Sequence, residues 1–174
     1  MKNLLICFIF LFSCTSNETE TVSNSPLQIK DPYNLSNNKT YIVVDYKIPS
    51  FKNRFFVIHE GNIIFQSLVC SGKEGSEVIF SNVPESHCSS KGRIEILYSY
   101  NGNFGKAYKI KGLDKTNSNI FKRNIVLHSH GCVPYEETSY RICNSQGCLT
   151  LNPNKFTELD SLINLYKIKL IIII

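Results

Sequence analysis

Several features that mark other protein classes are missing from this 174-residue sequence. No internal repeat is present, so a repeat array is not expected. No cysteine pair has the Cys-x-x-Cys spacing typical of structural zinc sites. The net charge of +5 is modest, and the densest basic cluster, between Lys106 and Lys115, alternates with Tyr108 and Ile110 as on the solvent face of a strand. A nucleic-acid partner is therefore not expected.

Long hydrophobic runs are also scarce, and the one near the N-terminus, residues 4–12, is too short to cross a membrane as a helix. It follows the basic start Met1-Lys2-Asn3 and ends shortly before Cys14. This pattern is typical of a bacterial lipoprotein signal peptide, with ordinary signal cleavage nearby as the alternative. We expect a signal peptide over residues 1–14 and a periplasmic protein that is anchored to the membrane through lipidated Cys14.

The rest of the sequence predicts a tether followed by one domain. Residues 15–38 are rich in Ser, Thr, Asn and Pro and have little to bury, as in a flexible tether. Residues 39–174 are long enough for one domain with a hydrophobic core.

Within that domain, runs of β-branched and aromatic residues predict strands, and Glu60-Gly61-Asn62 predicts a hairpin turn. One helix is predicted over residues 154–165, with Pro153 in its first turn. The expected fold is mostly β, a sandwich or barrel with one helix after a cysteine turn. The predicted strands cover residues 41–46, 54–58, 63–69, 94–98, 107–110, 124–128 and 168–174.

Seven cysteines are many for this length, and export makes their number informative. One lies in the expected signal peptide and one is the expected lipid site. Of the remaining five, two disulfides would leave one thiol over, and four paired cysteines allow three connectivities. The pairing that we predict joins Cys70 to Cys88 and Cys132 to Cys143 and leaves Cys148 free.

A histidine and a cysteine carry the chemistry that the sequence suggests. His128 ends the apolar run Ile125-Val126-Leu127, and Cys148 follows the small turn Ser145-Gln146-Gly147. A thiol needs a base to become a thiolate, and a tetrahedral oxyanion needs N–H donors, which a Gly-Cys turn can expose. The combination predicts acyl transfer through a cysteine thioester.

His128 and, after a gap of sixteen residues, Ser145-Gln146-Gly147-Cys148 resemble the L,D-transpeptidase catalytic-domain family with the YkuD-like fold, specifically its murein transpeptidase subgroup. Residues 80–82, 89–92 and 112–118 also look like the subgroup. Gln146 stands where many members have histidine, and Leu149-Thr150-Leu151 lacks their Arg or Asn. The resemblance implies a β-sandwich enzyme that crosslinks the stem tetrapeptides of peptidoglycan and needs no metal or other cofactor.

The resemblance also assigns catalytic roles. Cys148 would be the nucleophile, activated to a thiolate by the imidazole of His128, which would act as base and then as acid. The backbone carbonyl of Ser129 would orient His128, and the N–H groups of Gly147 and Cys148 would bind the oxyanion. His130 is the alternative base, because its spacing also fits the family.

Four further residues are candidates for the substrate site. Ser145 and Gln146 belong to the cysteine turn, and Ser145 is expected to brace it. Asn117 and Arg123 could shape the entrance, but a loop or salt-bridge role is favoured for each. No oligomeric state is predicted.

Other functions stay open at this point. With water as the acceptor, the protein would be an L,D-carboxypeptidase. A non-catalytic wall-binding module, stabilised by disulfides or zinc, is the alternative from another class, because soft metal ligands lie within twenty-one residues. These ligands are His128, His130, Cys132, Cys143 and Cys148.

A second stretch, Ser129-His130-Gly131-Cys132, matches the Ser-His-Gly-Cys form of the motif more literally. No histidine lies between Cys88 and His128 to serve as its upstream base. We therefore predict that Cys148, and not Cys132, is the nucleophile.

Overall fold

The computed structural model describes residues 39–174, which lie in one compact unit. The expected signal peptide, the lipid site at Cys14 and the tether over residues 15–38 lie outside the described residues. None of the helices in the described part is long and apolar enough to cross a bilayer.

Eight strands and one α-helix build the described domain. The α-helix, α1, spans Pro153–Tyr166, and a short 3-10 helix spans Lys115–Asn117. The strands are β1 (Thr40–Val44), β2 (Phe55–His59), β3 (Asn62–Ser67), β4 (Gly92–Gly102), β5 (Gly105–Gly112), β6 (Val126–Ser129), β7 (Leu149–Leu151) and β8 (Leu170–Ile173).

The strands hydrogen-bond in the order β3-β2-β1-β8-β4-β5-β6-β7. Most neighbours are antiparallel, but β8 joins β1 and β7 joins β6 in parallel. This mostly β domain with a mixed sheet and one α-helix confirms the predicted fold class. The sequence interpretation missed β7, because three residues are too few for a periodic signal.

Strand β8 lies in the middle of the sheet, between β1 and β4. Its three consecutive isoleucines, Ile171, Ile172 and Ile173, are all buried. A strand buried on both faces needs apolar residues at every position, which is why the apolar C-terminal run predicts it.

The two ends of the sheet meet around one core. Phe65 of β3 and Leu149 of β7, which are the outermost strands in the order, belong to the same hydrophobic cluster. Cys70, just after β3, bridges to Thr150 of β7 with an N–H to O distance of 3.0 Å. This closure brings Cys70 beside the strand that follows Cys148.

Helix α1 begins directly after β7 and stabilises its position. The Asn152 side chain caps the helix by accepting the N–H of Asn154 at 2.9 Å, and Pro153 occupies the first turn, where no backbone donor is needed. The buried face of the helix, which includes Phe156 and Leu159, packs into the same core. The cysteine turn is therefore tied to the core from its C-terminal side.

Candidate active site

His128, on β6, has both ring nitrogens in hydrogen bonds, and the residue is only 9% exposed. Nδ1 lies 3.0 Å from the backbone carbonyl oxygen of Ser129, and Nε2 lies 3.1 Å from the hydroxyl oxygen of Thr150. Because a carbonyl oxygen only accepts, Nδ1 carries the proton and Nε2 presents its lone pair. This is the tautomer that a general base acting through Nε2 requires.

Thr150 is a site residue that sequence reasoning did not include. It lies opposite His128 in the parallel pairing of β6 and β7, and it is buried. Since Nε2 is unprotonated, the Thr150 hydroxyl donates to it. The sequence offered one indication of Thr150, because this residue lies two positions after Cys148, in the stretch that departs from the family pattern.

The turn before Cys148 is braced by Ser145. Its hydroxyl donates to the carbonyl oxygen of Cys148 at 2.8 Å and accepts the N–H of Gly147 at 3.1 Å. The Gly147 N–H, predicted to bind an oxyanion, is thus already engaged inside the turn. Of the two predicted donors, the Cys148 N–H is the remaining candidate.

Glycine is required at position 147. Its φ of +106° is in the region that residues with a side chain rarely adopt. A Cβ atom there would lie 2.5 Å from the carbonyl oxygen of Cys88 and 2.9 Å from Cδ1 of Ile125. The close approach of these segments therefore depends on the missing side chain.

Two cavities, of about 370 and 470 Å³, meet at Cys148 and His128, which line both of them. The Cys148 thiol is partly exposed, and its Sγ lies 4.0 Å from the carbonyl oxygen of Asn124. The first cavity extends past Asn124 to Tyr100 and Lys109. The second is lined by the disulfide region and the cysteine turn, namely Cys70, His130, Cys132, Asn144, Ser145, Gln146 and Thr150.

Phe104, between β4 and β5, lines both cavities and covers the histidine. Its ring stacks on His128 with centroids 5.4 Å apart and meets His130 edge-on at 5.1 Å. No motif surrounds Phe104, so the sequence did not reveal it.

The two candidate bases differ in their surroundings. His128 is buried and lines both cavities, whereas His130 is exposed and lines the second cavity but not the first. Nδ1 of His130 accepts the N–H of Cys132 at 3.1 Å. The geometry therefore favours His128 as the base for Cys148.

The surroundings of His128 keep its imidazole neutral. Burial lowers its pKa below the ordinary value, and the nearby His130 lowers it further, while the hydrogen bond to Ser129 opposes the shift. A neutral imidazole at physiological pH is ready to accept a proton.

The Cys148 thiol is neutral as well. Burial raises its pKa above the ordinary value, although the Val126 N–H and the positive charges of Lys109 and Arg123 oppose the shift. The pair is therefore a thiol beside a neutral imidazole, and not the preformed thiolate that the sequence interpretation expected. A thiol in this state has to lose its proton before or as it attacks a substrate.

The pH dependence of the two groups should differ. Alkylation of Cys148 by iodoacetamide is expected to accelerate about tenfold per unit between about pH 7 and 9, because the thiolate reacts and its fraction grows with pH below the raised pKa. Turnover that uses neutral His128 should instead be lost as the pH falls through the depressed pKa of His128, below about 6.5. Mass spectrometry of the labelled protein measures the first rate. A labelling rate that stays flat from about pH 5 to 8 contradicts the neutral pair.

Arg123 stabilises loops, as the favoured prediction has it, and does not shape the substrate entrance. Its guanidinium donates to the carbonyl oxygens of Ser81 at 2.6 Å and Cys88 at 2.7 Å, and to the hydroxyls of Ser86 and Ser90. With its donors used inside the protein, it ties this segment under the cysteine turn. Arg123 affects Cys148 through its charge and does not line either cavity at the thiol.

The prediction that Asn117 shapes the substrate entrance is wrong. The residue is fully buried. Its amide donates to the carbonyl oxygen of Arg93 at 2.8 Å and accepts the N–H of Asp114 at 2.9 Å. Asn117 thus satisfies backbone groups around the 3-10 helix and presents no surface to a substrate.

The structure confirms one predicted disulfide and corrects the other. Cys132 and Cys143 are joined, whereas Cys70 and Cys88 are both free thiols. The Cys70 Sγ lies 3.2 Å from the Cys143 Sγ, and the Cys88 thiol donates to the carbonyl oxygen of Ser86. Closure of the sheet turns Cys70 towards Cys143 and away from Cys88, which sequence separation could not reveal.

The zinc ligand set considered from the sequence is not assembled. Among residues 39–174, the close group of possible metal ligands is Cys70, Cys132 and Cys143. Two of these are joined in the disulfide, and a disulfide sulfur is not the thiolate that zinc binds. The donor chemistry therefore does not fit zinc in this oxidation state.

Comparison with known proteins identifies one family. A model described as the L,D-transpeptidase catalytic domain matches residues 17–172. No curated protein sequence matches significantly.

Solved structures of similar fold include a mutant of the helical cell shape determining protein Pgp2 from Campylobacter jejuni, with a TM-score of 0.52 and 16% identity over 78% of this chain and 47% of that chain. An L,D-transpeptidase from Xylanimonas cellulosilytica has a TM-score of 0.52 and 11% identity over 80% of this chain and 62% of that chain. At these identities the similarity concerns the fold alone. This chain spans less than two thirds of either protein chain.

Proposed function

Because this chain belongs to the L,D-transpeptidase catalytic domain family, we propose that it is a peptidoglycan L,D-transpeptidase with Cys148 as its nucleophile. The observation that carries the proposal is the state of His128. Its Nδ1 donates to the Ser129 carbonyl, which leaves Nε2 unprotonated, and His128 lines both of the cavities that Cys148 also lines. A base and a nucleophile in one partly enclosed site support acyl transfer.

The first half-reaction forms a thioester. The Cys148 Sγ attacks the amide carbonyl that follows the L-centre of the stem diaminopimelate, and Nε2 of His128 accepts the thiol proton. Negative charge develops on the carbonyl oxygen, for which the Cys148 N–H is the candidate donor. The C–N bond then breaks, and His128 returns the proton to the departing amine of D-alanine.

The second half-reaction resolves the thioester. An acceptor amine from another stem gives its proton to His128 as it attacks, the C–S bond breaks, and the sulfur leaves with its electron pair and is reprotonated. In this structure the hydroxyl of Thr150 occupies the Nε2 lone pair, so the hydroxyl has to turn away before Nε2 takes the thiol proton.

The two cavities give this reaction room on both sides of the nucleophile. Lys109 adds positive charge to the first cavity, which suits the carboxylates of a stem peptide. Gln146 is exposed and lines the second cavity, where it would contact the other stem. In the cell, the proposed enzyme would act in the periplasm from a lipid anchor on Cys14.

The test supplies the purified full chain with disaccharide tetrapeptide and follows the products by liquid chromatography and mass spectrometry. We expect D-alanine release together with a crosslinked dimer that has lost one alanine. D-alanine release with only a tripeptide monomer would make the protein an L,D-carboxypeptidase. If the substrate stays intact in the presence of the folded protein, the non-catalytic wall-binding module becomes the supported function.

A further inference from the structure

Three cysteine sulfur atoms lie close together beside the second cavity, which Cys70 and Cys132 line, apart from the thiol assigned to catalysis. Cys132 and Cys143 form the disulfide, and the Cys70 Sγ lies 3.2 Å from the Cys143 Sγ. All three sulfur atoms lie within 4.8 Å of one another. Contact between a thiol and one sulfur of a disulfide permits thiol–disulfide exchange once the Cys132–Cys143 bond turns into line with the attacking Cys70 sulfur.

The contact is built into the closed sheet. The N–H of Cys70 donates to the carbonyl oxygen of Thr150 at 3.0 Å, and its own carbonyl accepts the buried Tyr46 hydroxyl at 3.0 Å. Both bonds hold Cys70 at its position after β3. The attacking sulfur is therefore positioned by the core, whereas the disulfide closes an exposed loop.

The cysteines that would exchange roles differ in solvent exposure. Cys70 is 1% exposed, whereas Cys132 is exposed and Cys143 is intermediate. A bridge between Cys70 and Cys143 would remove the buried free thiol and leave a free thiol at an exposed position. That position, Cys132, lines the same cavity as Cys148.

We infer that Cys70, Cys132 and Cys143 form a thiol–disulfide interchange site that moves the bridge to Cys70–Cys143 and releases Cys132 as a second reactive thiol of the cavity. The Cys70 thiolate attacks the Cys143 Sγ, the new S–S bond forms, and the Cys132–Cys143 bond breaks with its electron pair on Cys132. Cys70 loses its proton to solvent, and Cys132 gains one from solvent. The step is an isomerisation that needs no oxidant or reductant, and it does not depend on the proposed function.

The direction of the exchange should depend on pH. Burial raises the pKa of the Cys70 thiol to about 12, with Arg54 lowering it and Glu74 raising it. Burial also raises the pKa of the neighbouring Tyr46, which stays neutral. Because burial disfavours the charged form of Cys70 and a released Cys132 thiol would lie at an exposed position, rising pH favours the interchanged bridge, by up to about tenfold per pH unit.

The released thiol would be a modification site for small disulfides. A compound such as oxidised glutathione would form a mixed disulfide with Cys132, with reduced glutathione as the leaving group. Because Cys132 and Cys148 line one cavity, the added group would occupy space beside the nucleophile.

The test follows the bridge in the full chain, purified without reductant. The protein is held at about pH 7 and at about pH 9.5, quenched with acid, alkylated in denaturant and mapped by mass spectrometry. We expect alkylated Cys132 and a Cys70–Cys143 peptide at the higher pH, at least about tenfold more abundant than at the lower pH. Cys70→Ala should keep the Cys132–Cys143 bridge at both values.

Cys88→Ala is the matched control, because Cys88 is also a buried free thiol but donates to Ser86. It should exchange like the unmodified protein. Cys132→Ala changes an exposed residue and tests the proposal without altering the core. With oxidised glutathione, that variant should form the Cys70–Cys143 bridge. Three results would each overturn the proposal. The first is a released Cys132 thiol in Cys70→Ala, and the second is the absence of exchange at both pH values. The third is a free Cys70 thiol in Cys132→Ala after treatment with oxidised glutathione.

Discussion

Cys148→Ala is expected to reduce the turnover of tetrapeptide stems by on the order of 10⁴-fold or more, with the fold intact. In the proposed mechanism, the thiol is the group that bonds to the substrate, and neither His128 nor the turn can replace it. The structural effect should be small, because Cys148 is partly exposed and its thiol contacts backbone groups, namely the carbonyl of Asn124 4.0 Å away and the N–H of Val126. D-alanine release measures the first effect, and the thermal midpoint of the circular dichroism signal measures the second.

Cys88→Ala is the control for this experiment. It also removes a free cysteine, but one that lines neither of the two cavities at His128. We expect it to keep turnover. If Cys148→Ala retains D-alanine release, the nucleophile lies elsewhere, and Cys132 in the second Ser-His-Gly-Cys stretch becomes the first candidate.

Gly147→Ala should both destabilise the domain and remove activity. The φ of +106° costs about 1–3 kcal/mol for a residue with a side chain. The new Cβ would also lie 2.5 Å from the carbonyl oxygen of Cys88, and overpacking of this kind typically costs about 1–3 kcal/mol. A loss of several kcal/mol lowers the thermal midpoint by on the order of 10 °C. The backbone shift would move the Cys148 thiol away from His128.

Gly131→Ala provides the matched glycine control. Gly131 lies in the second Ser-His-Gly-Cys stretch, and a Cβ there meets no atom within 4 Å. Its thermal midpoint and turnover should stay close to those of the unmodified protein. Equal losses in the two variants would mean that the required turn is not the one before Cys148.

The fold class could be predicted because local pattern and burial agree over most of the domain. The isoleucines of β8 occupy a strand that is covered on both faces, and the apolar face of α1 packs on the core. Strand β7 was missed because its three residues have no period of their own. It exists because β6 and Cys70 pair with it from two sides.

The site could be predicted in part. His128 and Cys148 follow from residue type, spacing and resemblance, and they do line the same cavities. Arg123 and Asn117 were candidates for the substrate entrance, with a loop or salt-bridge role favoured for each. Both instead satisfy backbone groups within the protein. Their hydrogen-bond partners lie in distant segments of the sequence, so no local sequence pattern predicts them.

By itself, the sequence determined the mostly β fold with one helix and the pairing of a histidine with a cysteine behind a glycine turn. These features depend on residue type and short-range spacing, which the chain carries directly. The tertiary structure decided that burial keeps His128 and Cys148 neutral, that Thr150 hydrogen-bonds to His128, and that Cys70 meets Cys143. The physical reason is that burial and through-space contact set pKa values and sulfur partners, and both arise only when the two ends of the sheet close on one core.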